Sequence, residues 1–148
     1  MKGLAPLMSS ARTGGSERDE WRTPGEIIIA IRNAIDDIHF DAFATDENAV
    51  ANLWSVDAMG VEWDAGFGTL VYCNPPYSRM RGCAARMIQQ QSLHGFTMVS
   101  LVPARVETQW WCTLTSTCDH VVFISPRLKF LMPDGIEADN GAPLPSAR

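Results

Sequence analysis

Three features of this 148-residue chain predict an α/β domain of three layers built on a mainly parallel sheet. Short apolar runs alternate with helix-period segments, as strands and their covering helices do in such folds. The runs at 69–73 and 96–102 are nearly continuous in apolar residues, which suits strands buried on both faces. A prolyl-proline loop, Asn74-Pro75-Pro76-Tyr77, follows one of those strands, where open parallel sheets place their ligands. With 46% apolar residues, one compact domain is expected over residues 19–148, preceded by a flexible arm over 1–18 that contains Gly14-Gly15-Ser16.

The elements follow in order. Thr23-Pro24-Gly25-Glu26 reads as a capping box, with a capping hydroxyl, a proline at the first helical position and a glutamate three residues after the cap. The helix it opens runs to about Asp37, with Ile27, Ile28, Ile31, Ala34, Ile35 and Ile38 on one apolar face. His39 to Ala44 is the first strand, and the polar Thr45-Asp46-Glu47-Asn48 opens a short helix through about Leu53. Ser55 to Met59 reads as an edge-like second strand, and Thr69 to Cys73 as the strand that delivers the loop. Ser78 is placed to cap a helix from Arg79 to about Leu93, which His94-Gly95 ends. Phe96 to Val102 is the next strand, broken by Pro103, and Glu107 to Thr117 a helix in which Trp110 and Trp111 serve packing. His120 to Ser125 and Leu128 to Met132 read as two further strands, the last turned by Pro133-Asp134-Gly135.

Composition excludes several classes. No apolar stretch approaches ~20 residues and residues 1–18 lack the apolar block of a signal peptide, so a soluble, cytoplasmic protein without membrane contact is expected. The cysteines at 73, 83, 112 and 118 and the histidines at 39, 94 and 120 have neither zinc-site nor disulfide-framework spacing, so no metal is expected. Cys73 lacks the Pro-Cys setting of a cytosine-attacking thiolate and reads as strand packing. Net charge is −5, yet residues 1–74 are net −7 while 75–133 are net +4. The positive stretch starts at the loop. Arg79, Arg81, Arg86, Arg105, Arg127 and Lys129 are therefore candidates for a face that meets phosphates.

The loop's residue types fit one chemistry. An exocyclic amine on a planar π-system is a poor nucleophile because its lone pair is delocalised, and neither asparagine nor proline is a strong base. Two acceptors aimed at its two N–H bonds nevertheless favour the pyramidal amine that attacks a sulfonium methyl group. The Asn74 side-chain oxygen and the Pro75 carbonyl are those acceptors, Pro76 holds the turn rigid, and Tyr77 stacks on a base taken out of the duplex. The plainer alternative, a proline-rich turn after a strand, does not call for asparagine before and tyrosine after.

In these residues the chain resembles the phage-type DNA adenine methyltransferases, which use S-adenosylmethionine. The resemblance rests on Asp19-Glu20-Trp21-Arg22-Thr23-Pro24, Phe40-Asp41-Ala42-Phe43-Ala44, Asp57-Ala58-Met59 with Trp63, Asn74-Pro75-Pro76-Tyr77-Ser78, Leu101-Val102-Pro103-Ala104, Thr108 with Trp110-Trp111, and Arg127-Leu128-Lys129-Phe130, all in the family's order. It implies a Rossmann-like methyltransferase fold and transfer of a methyl group to the N6 amine of adenine in double-stranded DNA. It further implies a phage- or prophage-encoded enzyme acting in the host cytoplasm as a monomer or homodimer. Trp21, Thr23 and Pro24 are similar to the element that holds the methionine end of the cofactor, with the Thr23 hydroxyl facing its carboxylate. Asp41 and Ala44 stand where the family places the methionine amino group and the approach to the nucleoside, and Asp57 resembles the acid that meets the ribose or adenine. Arg79, Arg105, Arg127 and Lys129 are the DNA-binding candidates.

Three departures from the family pattern stand out. The first strand end has no glycine-rich turn, so close approach to the nucleoside relies on Ala42 and Ala44. Ser125-Pro126 precedes Arg127 where glycine is usual, and Pro143 to Arg148 stand where a last apolar strand is expected, which predicts a sheet lacking it. Two alternatives compete with the adenine reading. A glutamine side chain presents the same two N–H bonds, though enzymes that methylate it usually carry the absent glycine-rich turn. A truncated, non-catalytic phage remnant would bind DNA or cofactor without turnover.

Overall fold

A computed structural model describes residues 22–63, 65–132 and 136. The expectations for the arm at 1–18, for Asp19 to Trp21, for the turn at Pro133 to Gly135 and for Pro143 to Arg148 lie outside the described residues. Helix α1 is Gly25–Ala34, followed by β1 Ile38–Asp41, β2 Leu53–Trp54, β3 Leu70–Cys73, α2 Met80–His94, β4 Thr97–Ser100 and α3 Gln109–Ser116. The four strands form one sheet in the order β2-β1-β3-β4, and every neighbouring pair is parallel. The chain steps from β1 outward to β2, then returns to the other side of β1 as β3. That reversal creates a switch point between the carboxyl ends of β1 and β3.

Three layers result, because both faces of the sheet are covered. The cluster on one face joins Phe40, Trp63, Val71, Cys73 and Phe96 to Ala84 and Met87 of α2 and Leu114 of α3. The cluster on the other joins Ile38, Leu70 and Tyr72 to Ile28 of α1. Residues Ile38 and Phe40 fall in different clusters although strand side chains alternate with period two. A bulge explains it: Ile38 pairs with Leu70 but Phe40 with Val71, so His39 is an extra residue that turns the end of β1 over. Asp41 then pairs with Tyr72 and faces the α1 side.

Several expected elements differ. The capping box does not form: Pro24, not Thr23, is the residue before α1, and no side chain caps the helix. Ile27 N–H instead donates to the Pro24 carbonyl at 3.0 Å, and α1 ends at Ala34 rather than Asp37. The short helix expected through Leu53 is a single turn. Asn48 Oδ1 accepts from Thr45 N–H at 2.7 Å, and Val50 N–H is drawn to the Asp41 carboxylate at 3.1 Å, which stops helical pairing. The second strand sits at Leu53–Trp54 and not at 55–59, because Asp57 Oδ1 takes Gly60 N–H at 3.1 Å and folds that stretch into a turn. Helix α2 begins at Met80 after a 3₁₀ turn over Tyr77–Arg79, so that Arg79 and not Ser78 stands immediately before it, and it closes as expected on Gly95 at φ 68°.

The strand expected at 120–125 is not formed. Val121, Val122, Phe123 and Ile124 are exposed, and Phe123 rests against Trp111 of α3, ring centroids 6.3 Å apart, rather than along β4. Nor do residues 128–132 enter the sheet: Leu131 makes an isolated antiparallel bridge to Arg22, with N···O distances of 2.7 and 3.0 Å.

Candidate functional site

The switch point is stitched tightly. Ala42 N–H donates to the Tyr72 carbonyl at 3.0 Å, Ser55 N–H to the Asp41 carbonyl at 3.1 Å, and Ala44 N–H to the Ser55 carbonyl at 3.1 Å. These bonds carry the pairing of β1 with both neighbours past its last strand residue. Ala42 and Ala44 are buried, so the turn that replaces a glycine-rich one is closed down by small side chains. Beyond β3 the loop leaves with Asn74 half-buried and Pro75 fully buried. Neither proline has an N–H to satisfy, and Arg79 N–H takes the Pro76 carbonyl at 3.0 Å to close the 3₁₀ turn.

Three polar side chains converge there. Thr23 Oγ1 lies 2.7 Å from the Tyr72 hydroxyl, and Asn74 Nδ2 donates to the same Thr23 oxygen at 3.4 Å. Tyr72 is 1% exposed, and burial pushes its phenol far above its ordinary range, so it stays protonated. Asp41 is 3% exposed; Oδ2 accepts from Val50 N–H while Oδ1 is buried without a hydrogen-bond partner. Burial raises the Asp41 carboxyl to about 7, with the N–H groups of Val50 and Phe43 pulling the other way. A buried acid with an unused oxygen at a switch point is suited to a cationic ligand group.

The structure brings Thr23, Pro24, Asp41, Ala44 and the Asn74 loop to this end of the sheet, while Trp21 lies outside the described residues. Asp57 is exposed two residues beyond Ser55, its carboxylate closing the turn to Gly60. Tyr77 packs edge-on against the buried Phe130, centroids 6.0 Å apart, and burial raises its phenol as well. A surface depression of about 250 Å³ opens next along the chain, between Met59 and Ser78 to Cys83.

The basic candidates separate. Arg79, Arg81, Arg127 and Lys129 are exposed. Arg105 is paired with Glu107 at 2.7 Å. Arg86 is withdrawn from any phosphate-facing set: it bonds the carbonyls of Ala58 and Val61 and the side chain of Gln89, and lies 3.7 Å from Glu62. Its guanidinium ties the 58–62 loop to α2.

Sequence reasoning gave Tyr72 and Phe130 no role in the site. Tyr72 was legible in principle, since a phenol inside a buried strand must find a partner for its hydroxyl. Phe130 was not, because its partner lies 53 positions away and no periodicity links them.

A parallel sheet flanked by helices on both faces, with an amide-bearing loop at its switch point, defines a protein of the Rossmann-like methyltransferase type. The family described as DNA N-6-adenine-methyltransferase (Dam) matches residues 10–147, and the chain belongs to it. The chain is 28% identical over 117 residues to the DNA N-6-adenine-methyltransferase of Escherichia phage T1, which covers 78% of this chain and 49% of the relative. It thus spans about half the length of that curated relative. No solved structure matches it significantly.

Proposed function

We propose that this chain transfers a methyl group from S-adenosylmethionine to the N6 amine of adenine in double-stranded DNA. The observation that carries the reading is the anchoring of Asn74. Its Nδ2 is tied to Thr23 at 3.4 Å beside the switch point, which reserves Oδ1 as the end of the amide that accepts from a substrate. An amine approaching that end meets an acceptor, and the Pro75 carbonyl is the second one. Together they draw both N–H bonds out of the ring plane and stabilise the positive charge that develops on nitrogen. Tyr77, braced edge-on by Phe130, offers its ring to the extruded base.

The residues fit the cofactor. The orphaned Asp41 Oδ1 suits the ammonium of its methionine end, and the Thr23 hydroxyl its carboxylate, with Pro24 and Trp21 beside them. Ala42 and Ala44 keep only small side chains at the strand end that faces the nucleoside, and Asp57 is assigned to the ribose or adenine. When bound, the cofactor supplies a methyl group made electrophilic by sulfonium. Exposed Arg79, Arg127 and Lys129, with Arg105 once Glu107 lets go, meet phosphates as monomer or homodimer on DNA in a bacterial host's cytoplasm.

The test is transfer of labelled methyl to an adenine-containing duplex and to a glutamine peptide. Label in the duplex alone is expected. Asn74→Ala is expected to lower transfer by about 10²–10³-fold while calorimetry shows cofactor affinity largely kept. Binding of cofactor without transfer by the native chain would instead identify a non-catalytic remnant.

A further inference from the structure

We infer that Tyr72 is a positioning residue that sets the orientation of the Asn74 amide through the Thr23 hydroxyl. The inference rests on the reading of Asn74 as the acceptor for the substrate amine. An asparagine amide has two ends of similar shape, and only the oxygen end can receive an N–H. Turned over, it would present its own N–H groups to those of the substrate. Something must therefore fix which end faces outward.

Hydrogen-bond accounting identifies what does. A threonine hydroxyl offers two acceptor sites and one donor. Asn74 Nδ2 occupies one acceptor site, at 3.4 Å. The Tyr72 phenol, protonated and 1% exposed, needs an acceptor for its O–H, and Thr23 Oγ1 lies 2.7 Å away. With Tyr72 donating, the Thr23 oxygen is held in place and its own hydrogen points elsewhere, free for the cofactor's carboxylate. One oxygen thus serves both sides of the reaction. The same pull explains why Thr23 does not cap α1: its hydroxyl is turned toward β3. The long Asn74 contact is of the kind that tightens when a substrate arrives.

Tyr72→Phe removes the phenol oxygen and keeps the ring. It is expected to lower kcat on an adenine duplex about five- to tenfold, the scale of one neutral hydrogen bond, with KM for DNA and calorimetric cofactor Kd within about twofold of native. Thr23→Val should lose at least as much kcat, Thr23→Ser several-fold less because it keeps the oxygen. Tyr72→Phe added to Thr23→Val should cost nothing more, since the second residue acts through the first. An unchanged kcat in Tyr72→Phe, or additive losses in the pair, overturns the inference. If Tyr72→Phe does not fold, the Thr23→Val and Thr23→Ser contrast decides: equal kcat in those two overturns it. The parent reading fails separately, through absence of DNA methylation by the native chain or full activity in Asn74→Ala.

Discussion

Among the described residues, the side of the sheet covered by α2 and α3 buries eleven in one apolar cluster, with Trp63, Val71, Cys73 and Met87 wholly enclosed. On the α1 side the corresponding cluster holds four, and the Asp41 carboxyl and Tyr72 phenol share that side. Polar atoms on the first side serve its packing: Gln90 Oε1 receives Trp63 N–H at 2.8 Å, and the Trp63 ring N–H reaches the Ala58 carbonyl at 2.8 Å. Each side leaves a buried polar atom without a partner, the neutral Gln90 Nε2 on the first and the ionisable Asp41 Oδ1 on the second. The contrast assigns stability chiefly to one face and chemistry to the other. A small, partly polar core tolerates an unsatisfied acid only because a larger one holds the sheet in shape.

Substitutions on the two faces should accordingly fail in different ways. The largest effect is expected from Trp63→Ala, which empties the centre of a group that includes Phe40, Phe43 and Phe96. It should cost about 3–5 kcal/mol in denaturant unfolding. A loss below 1 kcal/mol would mean that this face is not the main source of stability.

Asp41→Asn comes next and should show itself through pH. The folded carboxyl titrates at about 7, above its ordinary 3.8, so the folded state keeps a proton that the unfolded chain has released. Its contribution is fullest below the unfolded value and is lost as pH rises through 7. Because Asn stays neutral, the variant should gain a few kcal/mol over the native chain between pH 4 and pH 8. A difference that stays flat over that range would show the acid to be solvated.

The smallest effect belongs to Thr108→Ala. Thr108 Oγ1 receives Trp111 N–H at 3.3 Å at the start of α3, and its loss should cost about 1 kcal/mol. Thermal unfolding should shift while methyl transfer does not. A fall in transfer comparable to that of Asn74→Ala would erase the division between the faces.

Where local chemistry dominated, the sequence was a good guide. The strand before the loop, the helix closed by Gly95 and the strand near 97–100 lie close to their expected places, since each has apolar patterning and a clear terminator. The misses come where a distant group outbid a local one. Thr23 had every mark of a helix cap, but Tyr72 lies 49 positions later and takes its hydroxyl. Val50 was read as helical, yet the Asp41 carboxylate claims its N–H. Residues 120–125 have the composition of a strand, but composition does not say whether a neighbouring edge will be used. For the site, residue types on the loop revealed the acceptors, while the bonds that orient them depend on which strands meet.

The single extra residue in β1 reaches further than its size suggests. Were the bulge ironed out with His39 kept in regular pairing, the outlet of that strand would present Asp41 to the tryptophan-lined side and a hydrophobe to the crevice, with the same letters in the same order. Anyone grafting this crevice into another scaffold must carry the irregularity along with the visible motifs, and a graft that straightens the strand would keep every recognisable residue yet point its acid the wrong way.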